Sequence, residues 1–220
     1  AETSEDVEKL EIEADARHAD LIIKHLGLGA AKPVETPALK LTAAEVELAA
    51  TEPVLNNERG TRYRSCVMRG AYLAQDRVDI ADAVKALSTM MKNPTESSES
   101  RLKRLGRYLK RRPYAVRVFR KQACPQTFET SGDSDWAGDR ISRKSTSGMV
   151  IMHGQHLIVG KASLQSVMSL STCEAEFYAF AKAAATSIYL RSIMADWKYD
   201  HINIVIGTDS SAAKSFTERR

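Results

Sequence analysis

In the last two-fifths of the chain acidic residues stand at three places at the edge of an apolar stretch, where a strand or helix would hand each to solvent. They are Asp133 and Asp135 in Gly132-Asp133-Ser134-Asp135-Trp136, Glu174 and Glu176 in Ser171-Thr172-Cys173-Glu174-Ala175-Glu176, and Asp209 in Thr208-Asp209-Ser210-Ser211. Carboxylates gathered from separate elements can hold two divalent cations on one phosphate, the chemistry of a two-metal nuclease. Each acid also has a plainer reading. Gly-Asp-Ser-Asp is good turn chemistry, Asp209 would suit the N-cap of a following helix, and Glu174 completes a capping box if Ser171 is the N-cap. On a strand Asp133 and Asp135 point the same way. If that side were the apolar core the pair would be costly, so one or both belong at a strand end with cations or metal. Glu176 lies about 200° around a helix from Glu174. Its side continues through Ala179, Phe180, Ala183, Ser187, Leu190 and Met194. That side is mostly small and apolar, so it should face a sheet, with Glu176 held at its inner end.

The elements that must position these acids change period along the chain. The first 26 residues are acidic and then amphipathic, predicting a helix, and Gly27, Gly29, Pro33 and Pro37 break it into a linker over 28–41. Apolar spacing of three and four over 60–92 predicts two packed helices interrupted near Asp76 to Asp79, and a third should run from Pro94-Thr95 to Leu109 before Arg112-Pro113 stops it. The second half has short β-branched runs at Ala115 to Phe119, Met149 to Met152 and Leu157 to Val159, then a long helix over Ser171 to Trp197 and an apolar strand over Ile202 to Ile206. The fold class is therefore α+β: a helical segment over 1–113, then a mixed sheet flanked by helices over 114–220. Trp136 and Trp197 read as core aromatics.

The chain has 32 Lys and Arg against 28 Asp and Glu, a formal charge of +4 over 220 residues. A total this small implies no particular partner; its distribution says more. Arg101 to Lys121 holds ten Lys or Arg and no acid. On a helix with Leu102, Leu105 and Leu109 buried, Arg104, Arg107, Lys110 and Arg111 would form either a solvated face or a groove that tracks phosphates. Arg140, Arg143 and Lys144 form a second cluster, and the groove reading predicts sequence-independent, salt-sensitive contacts. Three widely spaced cysteines, Cys66, Cys124 and Cys173, show neither zinc nor disulfide spacing and read as reduced thiols of an intracellular protein, in cytoplasm or nucleus and not secreted. No apolar run approaches a membrane span.

Taken in order, the acidic segments and Lys144-Ser145-Thr146-Ser147-Gly148 resemble the ribonuclease H domain of copia-type LTR retrotransposon Pol polyproteins. Upstream, Ala31-Lys32-Pro33-Val34-Glu35-Thr36-Pro37, Tyr63-Arg64-Ser65, Tyr72 to Ala81 and Leu105-Gly106-Arg107-Tyr108-Leu109 resemble the connection between polymerase and ribonuclease H in the same polyproteins, so the likeness runs from about Lys32 to Ser215.

The resemblance implies Asp133, Glu176 and Asp209 as metal ligands and catalytic residues. It also implies two Mg²⁺ ions, with Mn²⁺ as a substitute, and hydrolysis of the RNA strand of RNA–DNA hybrids. Ser145, Thr146, Ser147 and Gln165 would then be contacts that read ribose hydroxyls, and Lys161 joins the basic residues that would hold phosphates. The implied partners are an RNA–DNA hybrid and an upstream polymerase domain of the same polyprotein, with no membrane. The chain departs from the family pattern in lacking the later Ala-Asp unit that carries a fourth carboxylate, which would leave the domain truncated. It also lacks the polymerase Asp-Asp motif, which excludes polymerase activity. The alternative function is a non-catalytic nucleic-acid-binding remnant of a retroelement.

Overall fold

The computed structural model describes residues 8–39, 42–139 and 142–208. The chain divides into two compact units, Glu11–Arg117 and, separately, Ala1–Leu10 with Val118–Arg220. Together they give the expected α+β fold, a helical segment and a mixed sheet, consistent with a connection segment and a ribonuclease H-like domain.

The first unit is built from α1 (Ala16–His25), α2 (Ala43–Thr51), α3 (Asn57–Leu73), α4 (Ala81–Ser88) and α5 (Glu96–Arg111). Side chains fix the helix starts: Asn56 accepts from the Arg59 N–H at 2.9 Å, and Thr95 and Ser98 cap one another at the start of α5. Arg112 leaves helical geometry at φ −127°, as the residue before Pro113 must. Leu102, Leu105, Tyr108 and Leu109 of α5 share one core with Ile22, Leu26 and Leu28, and with Tyr63, Cys66 and Val67 of α3. Gly106 permits the closest approach, since a Cβ there would meet Leu28 Cδ1 at 2.5 Å. The interruption near Asp76 is a single 3₁₀ turn, Val78–Ile80, where buried Arg77 forks onto Asp79 and donates to the Arg112 carbonyl at 2.8 Å.

In the second unit, β3 (Thr127–Asp135), β4 (Thr146–His153), β5 (His156–Leu164) and β6 (Asn203–Gly207) form one sheet in the order β5-β4-β3-β6. β3 runs antiparallel to β4 and parallel to β6, and the crossover between β5 and β6 is α6 (Thr172–Asp196). Phe128, Ile151 and Ile202 form its core, with Leu190, Met194 and Ile204 packed around them. A separate two-stranded sheet pairs β1 (Lys9–Glu13) with β2 (Val116–Arg120).

Three expectations are corrected. Lys9–Glu13 is a strand rather than part of a helix, because Lys-Leu-Glu-Ile-Glu alternates with period two. The stretch read as a linker is strapped to α5: Ala31, Val34 and Ala38 pack on the helical core, and the Val34 N–H reaches the Arg107 carbonyl. Trp136 and Trp197 are exposed, at 44% and 67%. Trp136 instead donates its indole N–H to the Ser169 carbonyl at 3.1 Å.

Glu99 is 3% exposed, accepts from Arg59 and lies within 3.5 Å of Arg62 and 3.4 Å of Lys103. The Arg59 hydrogen bond outweighs burial and holds its carboxyl below the usual glutamate range. A depressed folded pKa gives stability that is complete above the unfolded pKa and is lost as pH falls through the folded value. Glu99→Gln should therefore lower urea-unfolding stability at pH 7 by about 1–3 kcal/mol, and the difference from wild type should shrink toward zero on acidification below pH 4 or so.

Candidate active site

β3 and α6 together place two of the three predicted ligands. Residues along β3 alternate between faces, so Phe128, Thr130 and Gly132 turn toward α6 while Glu129, Ser131 and Asp133 lie on the exposed face. Gly132 sets how closely the helix can lie: a Cβ there would sit 3.3 Å from both the Ala179 carbonyl oxygen and Ala183 Cβ. The opposing stripe of α6 is correspondingly small, with Ala175, Ala179, Ala183 and Ser187 all buried, and Ser187 shares a 2.7 Å hydrogen bond with Thr130.

Glu176 occupies the inner end of that stripe and is 6% exposed. Its Oε1 accepts the Ser134 hydroxyl at 2.7 Å. Its Oε2 is sealed from solvent and finds no donor among the described residues. Ser134 also donates its backbone N–H to Asp133 Oδ1 at 2.8 Å, so one serine holds both acids. Asp135 is the turn residue of the pair: its carboxyl folds against Gly138, where no Cβ would fit, and its carbonyl accepts the Gly138 N–H. Glu174 belongs to the helix cap. Its N–H bonds Ser171 Oγ at 3.2 Å, and its Oε2 reaches past the N-cap to the Leu170 N–H at 2.7 Å.

Asp209 and Arg140 lie outside the described residues. β6 does pair in parallel with β3, Gly207 against Ser131, so the carboxyl ends of both strands and Thr208 emerge at the end of the sheet that carries Asp133. Among the described residues, no three His, Cys, Asp or Glu side chains gather as a metal site.

A polar layer beside Glu176 locks the start of α6 to the sheet. Gln165 donates to Ser147 Oγ and to the Ala175 carbonyl, both at 3.0 Å, and accepts from Ser169 at 2.8 Å. Ser145 accepts from the Ala137 N–H at 3.1 Å. Ser145, Thr146, Ser147 and Gln165 are all buried, so their hydroxyls and amide serve the fold and are not presented to a ribose. Ser134 and Ser169 were not singled out from sequence; the place of Ser134 between two acids was the available signal.

The basic residues divide. On α5, Arg104 bonds Thr36, Arg107 the Lys32 carbonyl, Lys110 the Gly29 and Ala31 carbonyls, and Arg111 pairs with Glu35 at 2.7 Å. These four cations fasten the 29–36 segment, a use that sequence reading did not foresee. In the sheet unit, Lys144 holds the Ser166 carbonyl at 2.7 Å, while Arg143 and Lys161 are exposed. Lys182, absent from the predicted set, donates to Ser163 at 2.7 Å. Burial first, and then the Lys161 charge, lower its pKa.

The sheet unit thus brings one acid of β3 and one of α6 to a shared serine, and it continues in one chain from a helical unit. The chain is 33% identical over 172 residues to the retrovirus-related Pol polyprotein from transposon RE1 of Arabidopsis thaliana, covering 76% of this chain and 11% of that polyprotein. It is 27% identical over 199 residues to the corresponding polyprotein from transposon TNT 1-94 of Nicotiana tabacum, covering 90% and 15%. An uncharacterized mitochondrial protein of Arabidopsis thaliana is 31% identical over 173 residues, covering 78% and 69%. The chain belongs to the copia-type retrotransposon Pol polyproteins, and spans about a ninth of the length of the RE1 polyprotein it matches. No protein-family model and no solved structure matches it.

The close seating of α6 on Gly132 yields a prediction. Gly132→Val should destabilise the protein by about 1–3 kcal/mol through overpacking, and Gly132→Ala by less, read as thermal unfolding of the two variants beside wild type.

Proposed function

We propose that the sheet unit is a metal-dependent ribonuclease H that hydrolyses the RNA strand of RNA–DNA hybrids, within a polyprotein whose polymerase domain lies upstream. The observation that carries this reading is Glu176 Oε2, a carboxylate oxygen withdrawn from water and given no donor among the described residues. A buried charge left unpaired is costly, and a divalent cation satisfies such an oxygen. The donor set suits Mg²⁺ or Mn²⁺, which take carboxylate oxygens. Asp133 and Glu176 would hold the ions, with Asp209 as the third ligand supplied from the end of β6. The bound ions would neutralise the scissile phosphate and make a nearby water more acidic.

The chain's own residues do the positioning. Ser134 spends its hydroxyl on Glu176 and its N–H on Asp133, so each carboxylate keeps its other oxygen for a cation. Gln165 and Ser169 hold the first turn of α6 against the sheet and so fix the height of Glu176. Lys161 and Lys182, two neighbouring cations in this unit, and Arg143 would take phosphates of the substrate strands, giving salt-dependent affinity.

Cleavage of a labelled RNA–DNA hybrid with Mg²⁺, and then with Mn²⁺, tests the reading. Wild type should cut the RNA strand, and Asp133→Asn and Glu176→Gln should each abolish cutting while the hybrid still binds. Hybrid binding by wild type without cleavage in either metal would overturn the catalytic reading in favour of a nucleic-acid-binding remnant.

A further inference from the structure

We propose that the helical unit carries a separate pocket for the phosphates of a nucleic-acid strand, formed by Lys24, Arg59, Arg62 and Lys103. The end of α1, the start of α3 and the middle of α5 converge on an open cavity of about 460 Å³ lined by these four cations, His25 and Glu99. None of the four belongs to the set that fastens the 29–36 segment.

Charge is unbalanced there. Arg59 forks onto Glu96 and also reaches Glu99, so two acids stand against four cations, a net of 4 − 2 = +2 with His25 neutral. Glu99 is shared among Arg59, Arg62 and Lys103 and cannot neutralise all three. A purely structural ion-pair hub accounts for Arg59 and Glu99. It leaves unexplained why Lys24 is brought to the same cavity from another helix, and why Arg62 Nε, sealed from solvent, finds no acceptor among the described residues. An oxygen-rich anion in the cavity would give an acceptor to the Lys24 ammonium and to the outer nitrogens of Arg62, whose side chain is 39% exposed. Arginine forks match phosphate oxygens in pairs, and an open cavity of this volume accepts consecutive phosphates of a strand more readily than one isolated ion. The contacts would be indifferent to base sequence and sensitive to salt.

The inference rests on the nucleic-acid side of the proposed function and not on its metal site. Binding is therefore measured in EDTA, where cleavage plays no part, by fluorescence anisotropy of a labelled RNA–DNA hybrid from 50 to 200 mM salt. The double variant Lys24→Glu, Lys103→Glu is compared with Arg62→Ala and with the charge-matched control Lys92→Glu, each checked by circular dichroism for wild-type folding. The expected results are roughly tenfold or greater weakening by the double variant at the lowest salt, a log–log salt slope smaller by about 2, and a slope smaller by about 1 for Arg62→Ala, with the control within threefold of wild type. Equal effects of the control and the double variant, unchanged affinity in the double variant, or absence of hybrid binding at 50 mM salt would each overturn it. So would tripolyphosphate binding that is sensitive to the double variant while hybrid binding is not, which would assign the pocket to small phosphates. Intact cleavage alongside an inert pocket separates this failure from that of the ribonuclease reading.

Discussion

A carboxylate taken out of water must be given donors or a cation, and in the sheet unit that constraint falls on Glu176. Everything around it can be read as a response. The helix can bring Glu176 down to the sheet only because Gly132 and the Ala175, Ala179 and Ala183 stripe leave no bulk between them. Ser134 then supplies one hydrogen bond, and the Gln165–Ser147–Ser169 layer stops the first turn of α6 from lifting away. Oε2 is left without a donor among the described residues. A fold that satisfied this oxygen internally would be more stable and would have nothing to offer a metal ion, so the unfilled valence is the point at which packing and the proposed chemistry meet.

The helical unit solves a different problem with similar means. Its amphipathic helix α5 buries Leu102, Leu105 and Leu109 on one side and carries cations on the others. Much of that charge is consumed in tying down Gly29 to Thr36, through the carbonyls of Gly29, Ala31 and Lys32 and the side chains of Glu35 and Thr36. The cations that remain around Glu99 outnumber the acids they pair with. Basic residues of the helical unit thus divide: those of α5 that a neighbouring segment reaches serve structure, while Lys103 joins Lys24 of α1 and Arg59 and Arg62 of α3 around Glu99.

Periodicity made much of this legible. The 3.6-residue repeat of small residues after Glu176 pointed that acid inward, and the structure buries it where the repeat said. The interruption near Asp76 and the stop at Arg112-Pro113 were likewise local events that local residues decide. What stayed hidden depends on distant partners. Nothing near Arg107 announces that Lys32 will accept its hydrogen bond, and nothing in Ser145-Thr146-Ser147 distinguishes a buried polar layer from an exposed reading loop. The helix α2 was overlooked although its reciprocal Thr42 and Glu45 cap is a sequence signature for a helix start. Asp209 lies outside the described residues; the parallel pairing of β6 with β3 is described only as far as Gly207 against Ser131.

The central claim is that a divalent cation completes the coordination of Glu176. The most direct test is a crystal of the chain soaked in Mn²⁺, with anomalous scattering used to locate the metal. The account predicts a peak bonded to Glu176 Oε2 and an Asp133 oxygen, lost in Glu176→Gln. Mn²⁺ bound only elsewhere, or retained at the same position in Glu176→Gln, would contradict it.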